Sequence, residues 1–187
     1  MEKLKNCIAS QVSIKNESLD HILSFFEPLE INKGEFFLQA GKICRKMAFI
    51  VSGYMRLYNI VDGKEITLWI GSEGRFITSL SSFIFETNNS WNIQAITDCN
   101  LYTITRENHF RLNKTYPEWL EFDNILLANS FALLENKMFF QLHTTAKQRY
   151  DKLMNEEPEL FKYVPLQYIA SMLGIAPESL SRLRKMH

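Results

Sequence analysis

The stretch that decides the fold of this chain is YIASMLGIAPESLSRLRK, residues 168–185. Apolar residues recur at helical spacing on both sides of a single glycine, Gly174, which can adopt the left-handed conformation that ends a helix. Pro177 is suited to the first position of a second helix. Two short helices that meet at a glycine turn predict a helix-turn-helix. The apolar positions are Leu166, Ile169, Ala170, Leu173, Leu180 and Leu183.

A glycine-rich region precedes it, from about Leu29 to Thr105. Six of the seven glycines fall there and separate short runs rich in β-branched and aromatic residues, many of them alternating between apolar and polar. Asp62-Gly63 supplies two residues that tolerate a positive φ in a tight hairpin turn. Many short strands with regular turns predict a β-barrel or sandwich. Ahead of it, residues 17–29 predict a short helix that ends at Pro28.

Between these regions lies one long helical pattern, which begins near Tyr116-Pro117 and contains no Gly or Pro before it ends at Leu142. Residues spaced alternately by four and three form the seam of a coiled coil, and a second row, Leu126, Leu133 and Phe140, steps by sevens. Either both rows are core within one chain, or one row meets a second copy. We favour a dimer, because two apolar faces of so long a helix are hard to cover with so small a domain. The apolar residues of the predicted dimer seam are Leu120, Leu127, Phe131, Leu134 and Met138.

The segment after the long helix opens with a helical pattern from about Thr145 to Pro158, and residues 161–164, FKYV, read as a short extended piece.

Composition and charge exclude several classes of protein. The chain of 187 residues is 46% apolar, which is ordinary for a packed protein. It has neither an apolar run long enough to span a bilayer nor a signal peptide, so we expect a cytoplasmic protein with no membrane partner. Three widely spaced cysteines give neither a disulfide framework nor a four-cysteine metal site. A formal net charge of zero does not by itself indicate a nucleic-acid partner, although residues 143–187 are mildly basic.

The glycine pattern KGEFFLQAG…FIVSGYMRLY…DGKE…EG and the C-terminal YIASMLGIAPESLSRLRK together resemble the Crp/Fnr family of bacterial transcription regulators. The resemblance covers nearly the whole chain. It implies an α+β fold: an N-terminal double-stranded β-helix (a β-roll, or cupin-like jelly roll) of the cyclic-nucleotide-binding type, a long dimerisation helix and a C-terminal winged helix-turn-helix. The effector domain would span residues 1–142, with the roll at about 29–105 and the long helix at about 116–142. Residues 143–187 would form the DNA-binding domain.

The resemblance also implies which residues contact double-stranded DNA. Family members often present Glu, Ser or Thr, and Arg to the major groove, and here Glu178, Ser179 and Arg182 occupy those places. A glutamate accepts from a cytosine amino group and an arginine forks onto guanine O6 and N7, each pair contributing roughly 1–3 kcal/mol of discrimination. Arg184 and Lys185 are expected to contact phosphates, with Lys147 and Lys162 as further candidates. The alternative is that Glu178 and Arg182 form only an exposed ion pair, contributing about 0.3–0.5 kcal/mol.

The expected effector pocket departs from the family pattern. Members that bind cyclic AMP use a Gly-Glu pair and a later Arg-Ser or Arg-Thr pair, but Thr78-Ser79 and Asn89-Ser90 stand at those places here. The cation that a phosphate needs is therefore missing, and we expect neither cyclic AMP nor a cofactor. The pocket would bind a different small effector or nothing. The residues expected to line it are Phe76, Ile77, Thr78, Ser79, Ser90 and Trp91.

Two other functional classes make different demands on the residues. Cupin-type enzymes hold a metal with histidines inside the barrel, and no histidine lies between Leu29 and Thr105. No nucleophile elbow or phosphate loop is present either, so we do not expect an enzyme. The four histidines are scattered and fit surface or capping positions better than metal or haem ligation. A dimeric ligand-binding or scaffold module that does not read DNA remains the alternative function, and salt-dependent DNA binding would separate the two.

Overall fold

Two antiparallel sheets form the first half of the molecule. Within residues 1–185, which the computed structural model describes, eight strands occur. One sheet has the order β1-β8-β3-β6 and the other β2-β7-β4-β5, so most neighbouring strands are distant in sequence. This arrangement is the predicted β-roll, which runs from residue 27 to residue 105. The strands are β1 (Glu27–Ile31), β2 (Phe36–Leu38), β3 (Lys46–Ser52), β4 (Met55–Val61), β5 (Lys64–Gly71), β6 (Phe76–Ile77), β7 (Asn92–Ala95) and β8 (Cys99–Thr105).

The hairpin between β4 and β5 forms at the predicted turn. Asp62 has φ 51° and Gly63 has φ 74°, and Val61 pairs with Lys64 across the turn. Positive φ at both central residues gives the turn the twist of the flanking strands.

Two short helices, α1 (Glu2–Ala9) and α2 (Asn16–Leu23), cover one side of the roll. Helix α1 was not predicted, because Leu4 and Ile8 are its only buried residues. Helix α2 was predicted, but it ends at Leu23 and not at Pro28. Pro28 instead lies in β1, at the edge of its sheet, where a residue without an N–H is tolerated.

Helix α3 (Leu80–Phe85) lies between β6 and β7, and α4 (Arg106–Thr115) and α5 (Pro117–His143) follow the roll. Helix α5 matches the long helix predicted at about 116–142. Its first turns pack on the roll through buried Trp119 and Phe122. Helices α3 and α4 were not predicted.

The C-terminal segment is helical throughout its described part. It contains α6 (Ala146–Glu156), α7 (Leu160–Tyr163), α8 (Leu166–Leu173) and α9 (Pro177–Lys185). The extended piece predicted at residues 161–164 was wrong, because buried Leu160 anchors a helical turn whose carbonyl accepts from Val164 N–H. Residues 144–185 contain no strand, so the predicted wing is not found there. Met186 and His187, which the predicted domain includes, lie outside the described residues.

No helix among residues 1–185 is both long enough and apolar enough to cross a membrane.

Candidate functional site

Helices α8 and α9 are joined by a turn whose hydrogen bonds account for its sequence. Gly174 follows α8 with φ 67°, and its N–H donates to the carbonyl of Ser171. The next N–H, of Ile175, donates to the carbonyl of Ala170 at 3.0 Å. These two bonds make a Schellman motif, which stops α8 and reverses the chain. The second helix then begins at Pro177, as predicted.

The exposed face of α9 carries the residues predicted to contact DNA. Leu180 is fully buried and Leu183 is half-buried, so they hold the helix against the domain core. Ser179 is half-buried beside this core. The remaining four predicted residues, Glu178, Arg182, Arg184 and Lys185, are exposed.

No ion pair joins Glu178 and Arg182 in the described part of the chain. Both side chains therefore point to solvent with their charges available. The two additional lysines differ, because each is held by a carboxylate 2.6 Å away: Lys147 by Asp151, and Lys162 by Glu159. A phosphate contact from either lysine would have to displace that partner, which makes them weaker candidates than Arg184 and Lys185.

The residues predicted to line an effector pocket lie in two different environments. Phe76 and Ile77 form β6 and pair with β3, and the ring of Phe76 packs edge-on against Phe49 and Phe122. Both are therefore part of the core. The hydroxyl of Thr78 donates to the carbonyl of Lys46 at 3.2 Å.

The other three predicted pocket residues are likewise divided between the interior and the surface loop before β7. Ser79 is buried, and its hydroxyl has no hydrogen-bond partner among residues 1–185. Ser90 is exposed and Trp91 is half-buried in the loop before β7. A role of these residues in binding an effector stays a prediction.

Asn89 organises the loop next to them. Its side chain is buried, and its amide nitrogen donates to the carbonyls of Gln39 and Lys42 at 2.8 and 3.2 Å. Its own backbone N–H and carbonyl pair with the loop at Lys42 and Gly41. The side chain at this position thus binds the protein's own backbone.

The face of α5 beyond residue 130 is strongly apolar and uncovered. Of the predicted dimer seam, Leu120, Phe131, Leu134 and Met138 are exposed, and Leu127 is half-buried. Three more exposed apolar residues were not in the predicted seam: Leu133, Phe139 and Leu142. Their spacing places them on neighbouring faces, so the helix is apolar on several sides, as is typical of a helix that a partner covers.

A buried polar cluster between α4 and α5 escaped the sequence analysis. His109, expected at the surface, is only 2% exposed, and its Nε2 lies 3.3 Å from Asp123 Oδ2. Asn113 donates to the same carboxylate oxygen at 3.0 Å. Burial, with a smaller effect from Arg106, lowers the pKa of His109 to about 4, so the imidazole is neutral at pH 7. Burial also raises the pKa of Asp123. Among residues 1–185, no group of three or more His, Cys, Asp or Glu side chains could hold a metal ion.

The model of the cyclic nucleotide-binding domain family matches residues 28–116. A Crp/Fnr-family transcriptional regulator from Eubacterium rectale superposes with a TM-score of 0.71 at 20% identity, over 92% of this chain and 83% of that one. The chain has the Crp/Fnr fold. Two further structures with this fold are similar to it. The c-di-GMP responsive global regulator CLP of Xanthomonas campestris gives a TM-score of 0.72 at 17% identity, over 92% and 91% of the two chains. FixK2 from Bradyrhizobium japonicum gives 0.73 at 15%, over 86% and 83%. No curated protein sequence matches the chain.

The roll offers no cation at the position where the resemblance expects the phosphate-binding arginine. The position that the resemblance assigns to the phosphate-binding arginine is Asn89, whose neutral amide already donates to Gln39 and Lys42. A phosphate needs a cation or several free N–H groups, and Asn89 offers neither. The region that matches the cyclic nucleotide-binding domain model therefore carries Asn89 at the place where the resemblance expects the arginine of the nucleotide site.

Proposed function

We propose that the chain is a homodimeric transcription regulator that reads a palindromic site in double-stranded DNA, and that it is not an enzyme. The observation that carries the proposal is the presentation of α9. Its apolar side is anchored by buried Leu180, while Glu178 and Arg182 stand exposed and unpaired at the positions from which a recognition helix reads bases.

The chemistry of each predicted contact residue on α9 suggests its role. Arg182 forks onto the O6 and N7 of a guanine, Glu178 accepts from the amino group of a cytosine, and Ser179 contacts a neighbouring base edge or phosphate. Arg184 and Lys185, in the last turn, neutralise phosphates and fix the register of the helix. The net charge of the whole chain is zero, but the last turn of α9 carries Arg182, Arg184 and Lys185 and is therefore locally positive.

Dimerisation through α5 supplies the second recognition helix. The exposed apolar residues of α5 support this step, because a monomer would leave them in water. A two-fold axis along α5 would place the two α9 helices in successive major grooves, about 34 Å apart. The effector, where one exists, is a molecule that does not rely on a cyclic phosphate.

The experiment that tests the proposal is selection of duplexes from a random pool by the purified native chain, by Arg182→Ala and by Arg45→Ala. Arg45 is an exposed arginine of the roll and serves as the matched control. We expect the native chain and Arg45→Ala to recover one two-fold-symmetric motif, and Arg182→Ala to lose the preference at one base pair in each half-site. Recovery of the same motif by Arg182→Ala would contradict the assigned role.

A dimeric scaffold that does not read DNA is the second candidate, and the zero net charge favours it. Salt dependence separates the two. A regulator that neutralises several phosphates loses affinity steeply as salt rises, with a slope of about −0.9 per phosphate contact in a double-logarithmic plot. A scaffold selects no motif and binds no duplex at any salt concentration.

A further inference from the structure

An arginine of the roll packs against an aromatic side chain of the helix-turn-helix. Arg56 in β4 is 2% exposed, and its guanidinium lies 3.8 Å from the ring centre of Tyr58 on one side and 3.7 Å from that of Tyr168 on the other. Tyr168 belongs to α8, the first helix of the helix-turn-helix. The nitrogen atoms of Arg56 also bind Glu65 and Gln94 at 2.6 and 2.7 Å. A desolvated cation between two aromatic faces is a strong, directional contact.

A serine of the same helix caps the free edge of a sheet. β5 is the last strand of its sheet, so its outward backbone groups have no strand partner. Ser171 supplies one, because its hydroxyl accepts from Thr67 N–H and donates to the carbonyl of Glu65, both at 2.9 Å. The side chain thus satisfies a donor and an acceptor of the strand at once.

Apolar contacts extend this docking. Ile70 and Ile96 of the roll belong to the same buried cluster as Tyr150, Leu160 and Ile169 of the C-terminal domain. The ring of Tyr54 stacks on that of Tyr163 with centres 5.7 Å apart. The helix-turn-helix therefore shares a core with the roll.

The long helix contributes to the same junction. Lys137 donates to the carbonyl of Leu68 in β5, and Gln141 donates to the carbonyl of Met172 at the end of α8. The guanidinium of Arg149 in α6 donates to two carbonyls, that of Leu173 at the end of α8 and that of Thr144 just after α5. Arg149 therefore connects the ends of these two helices. α8 is held from three directions, by β4–β5, by α5 and by α6.

We propose that Arg56, Tyr168 and Ser171 are positioning residues for DNA reading, and that they make each recognition head one rigid body with its roll. The exposed face of α9 stays free in this docked state, so docking and DNA binding are compatible. This inference rests on the proposed function. Its consequence concerns the pair of heads: held rigidly on a dimer, they reach both half-sites without the entropy that mobile heads would lose.

The test uses Tyr168→Ala in the full chain, with Gln167→Ala as the matched control. Gln167 is exposed on the same helix. Arg56 keeps Tyr58, Glu65 and Gln94 in the Tyr168 variant, so the roll retains its own contacts. Ser171→Ala is the second variant, and it removes only the cap on β5.

Two measurements are made on each protein. Hydrogen–deuterium exchange at the Thr67 amide reports docking, and fluorescence anisotropy reports affinity for the selected palindrome and for a single half-site. We expect Tyr168→Ala to speed exchange at Thr67 by about tenfold, and to weaken binding to the palindrome by about tenfold with no change for the half-site. Gln167→Ala changes neither. Ser171→Ala removes the acceptor of the Thr67 N–H itself, so this variant is judged by affinity alone, and we expect it to weaken binding to the palindrome and not to the half-site.

Other outcomes overturn the inference. Unchanged exchange at Thr67 in Tyr168→Ala shows that this side chain does not hold the head. Equal loss for palindrome and half-site shows damage to the head itself, and unchanged or tighter binding to the palindrome shows that docking does not assist recognition. If the native chain binds neither duplex, the proposed function fails, while the exchange result alone still supports or overturns the docking.

Discussion

Phe131 on α5 gives the sharpest test of the proposed dimer. Its side chain is 64% exposed in the single chain. An aromatic side chain buries about 150–250 Å², so about 100–160 Å² would remain for a partner to cover. At about 25 cal/mol per Å² this is worth about 2.5–4 kcal/mol per chain, and a two-fold dimer uses the contact twice. Part of that energy offsets the cost of association, and we expect Phe131→Ala to weaken the dimer by at least about 3 kcal/mol, or about 100-fold in Kd.

Sedimentation velocity over a concentration series measures that Kd. Phe85→Ala is the matched control, since Phe85 is 72% exposed but lies on α3 and not on α5. We expect Phe85→Ala to dimerise like the native chain. Equal Kd values for the native chain and Phe131→Ala would refute the reasoning, as would a native chain that is monomeric at every concentration. An equal effect of Phe85→Ala would show that the loss is not specific to the α5 face.

Three further predictions concern stability. The pKa of His109 is about 4 in the folded chain and near 6.5 in the unfolded chain, so stability is lost as pH falls from 6.5 to 4, by up to about 3 kcal/mol. The raised pKa of Asp123 offsets part of this loss. Urea unfolding of His109→Gln should show a weaker pH dependence than that of the native chain, and an unchanged pH dependence contradicts the argument. Gly174→Ala should cost about 1–2 kcal/mol in the same assay through its positive φ alone, because the added Cβ meets only Gln141 Oε1 at 3.6 Å; no loss would contradict the strain argument. Thr145→Ala should cost about 1 kcal/mol by removing the capping box of α6, and thermal unfolding with an unchanged midpoint would contradict it.

The elements that the sequence predicted are those with local signals. Gly174 and Pro177 fix the turn of the helix-turn-helix through their own backbone preferences, and Asp62-Gly63 fixes a hairpin in the same way. The long helix was predictable because its apolar spacing persists over many turns. In each case, neighbouring residues carry the whole signal.

The elements that were missed depend on distant partners or are too short to show a period. Helix α1 buries only two residues, and α4 begins directly where β8 ends, at the side-chain cap from Thr105. The burial of His109 follows from the packing of α4 on α5 and has no local signature. The docking of α8 on β5 joins Ser171 to Thr67, 104 positions apart. Only the folded chain brings such groups together.

Two polar side chains of the roll, Asn89 and Arg56, both bind groups of the protein itself, and together they indicate what the roll does. A roll that senses a nucleotide needs a cation free to meet the phosphate, but the side chain at the corresponding position here binds the backbone of its own loop. The buried guanidinium of the roll, Arg56, instead packs on the ring of Tyr168 in α8. The buried positive charge of Arg56 thus stabilises the contact between the roll and α8. It follows that substitutions around Arg56 should alter DNA binding more than substitutions around Asn89.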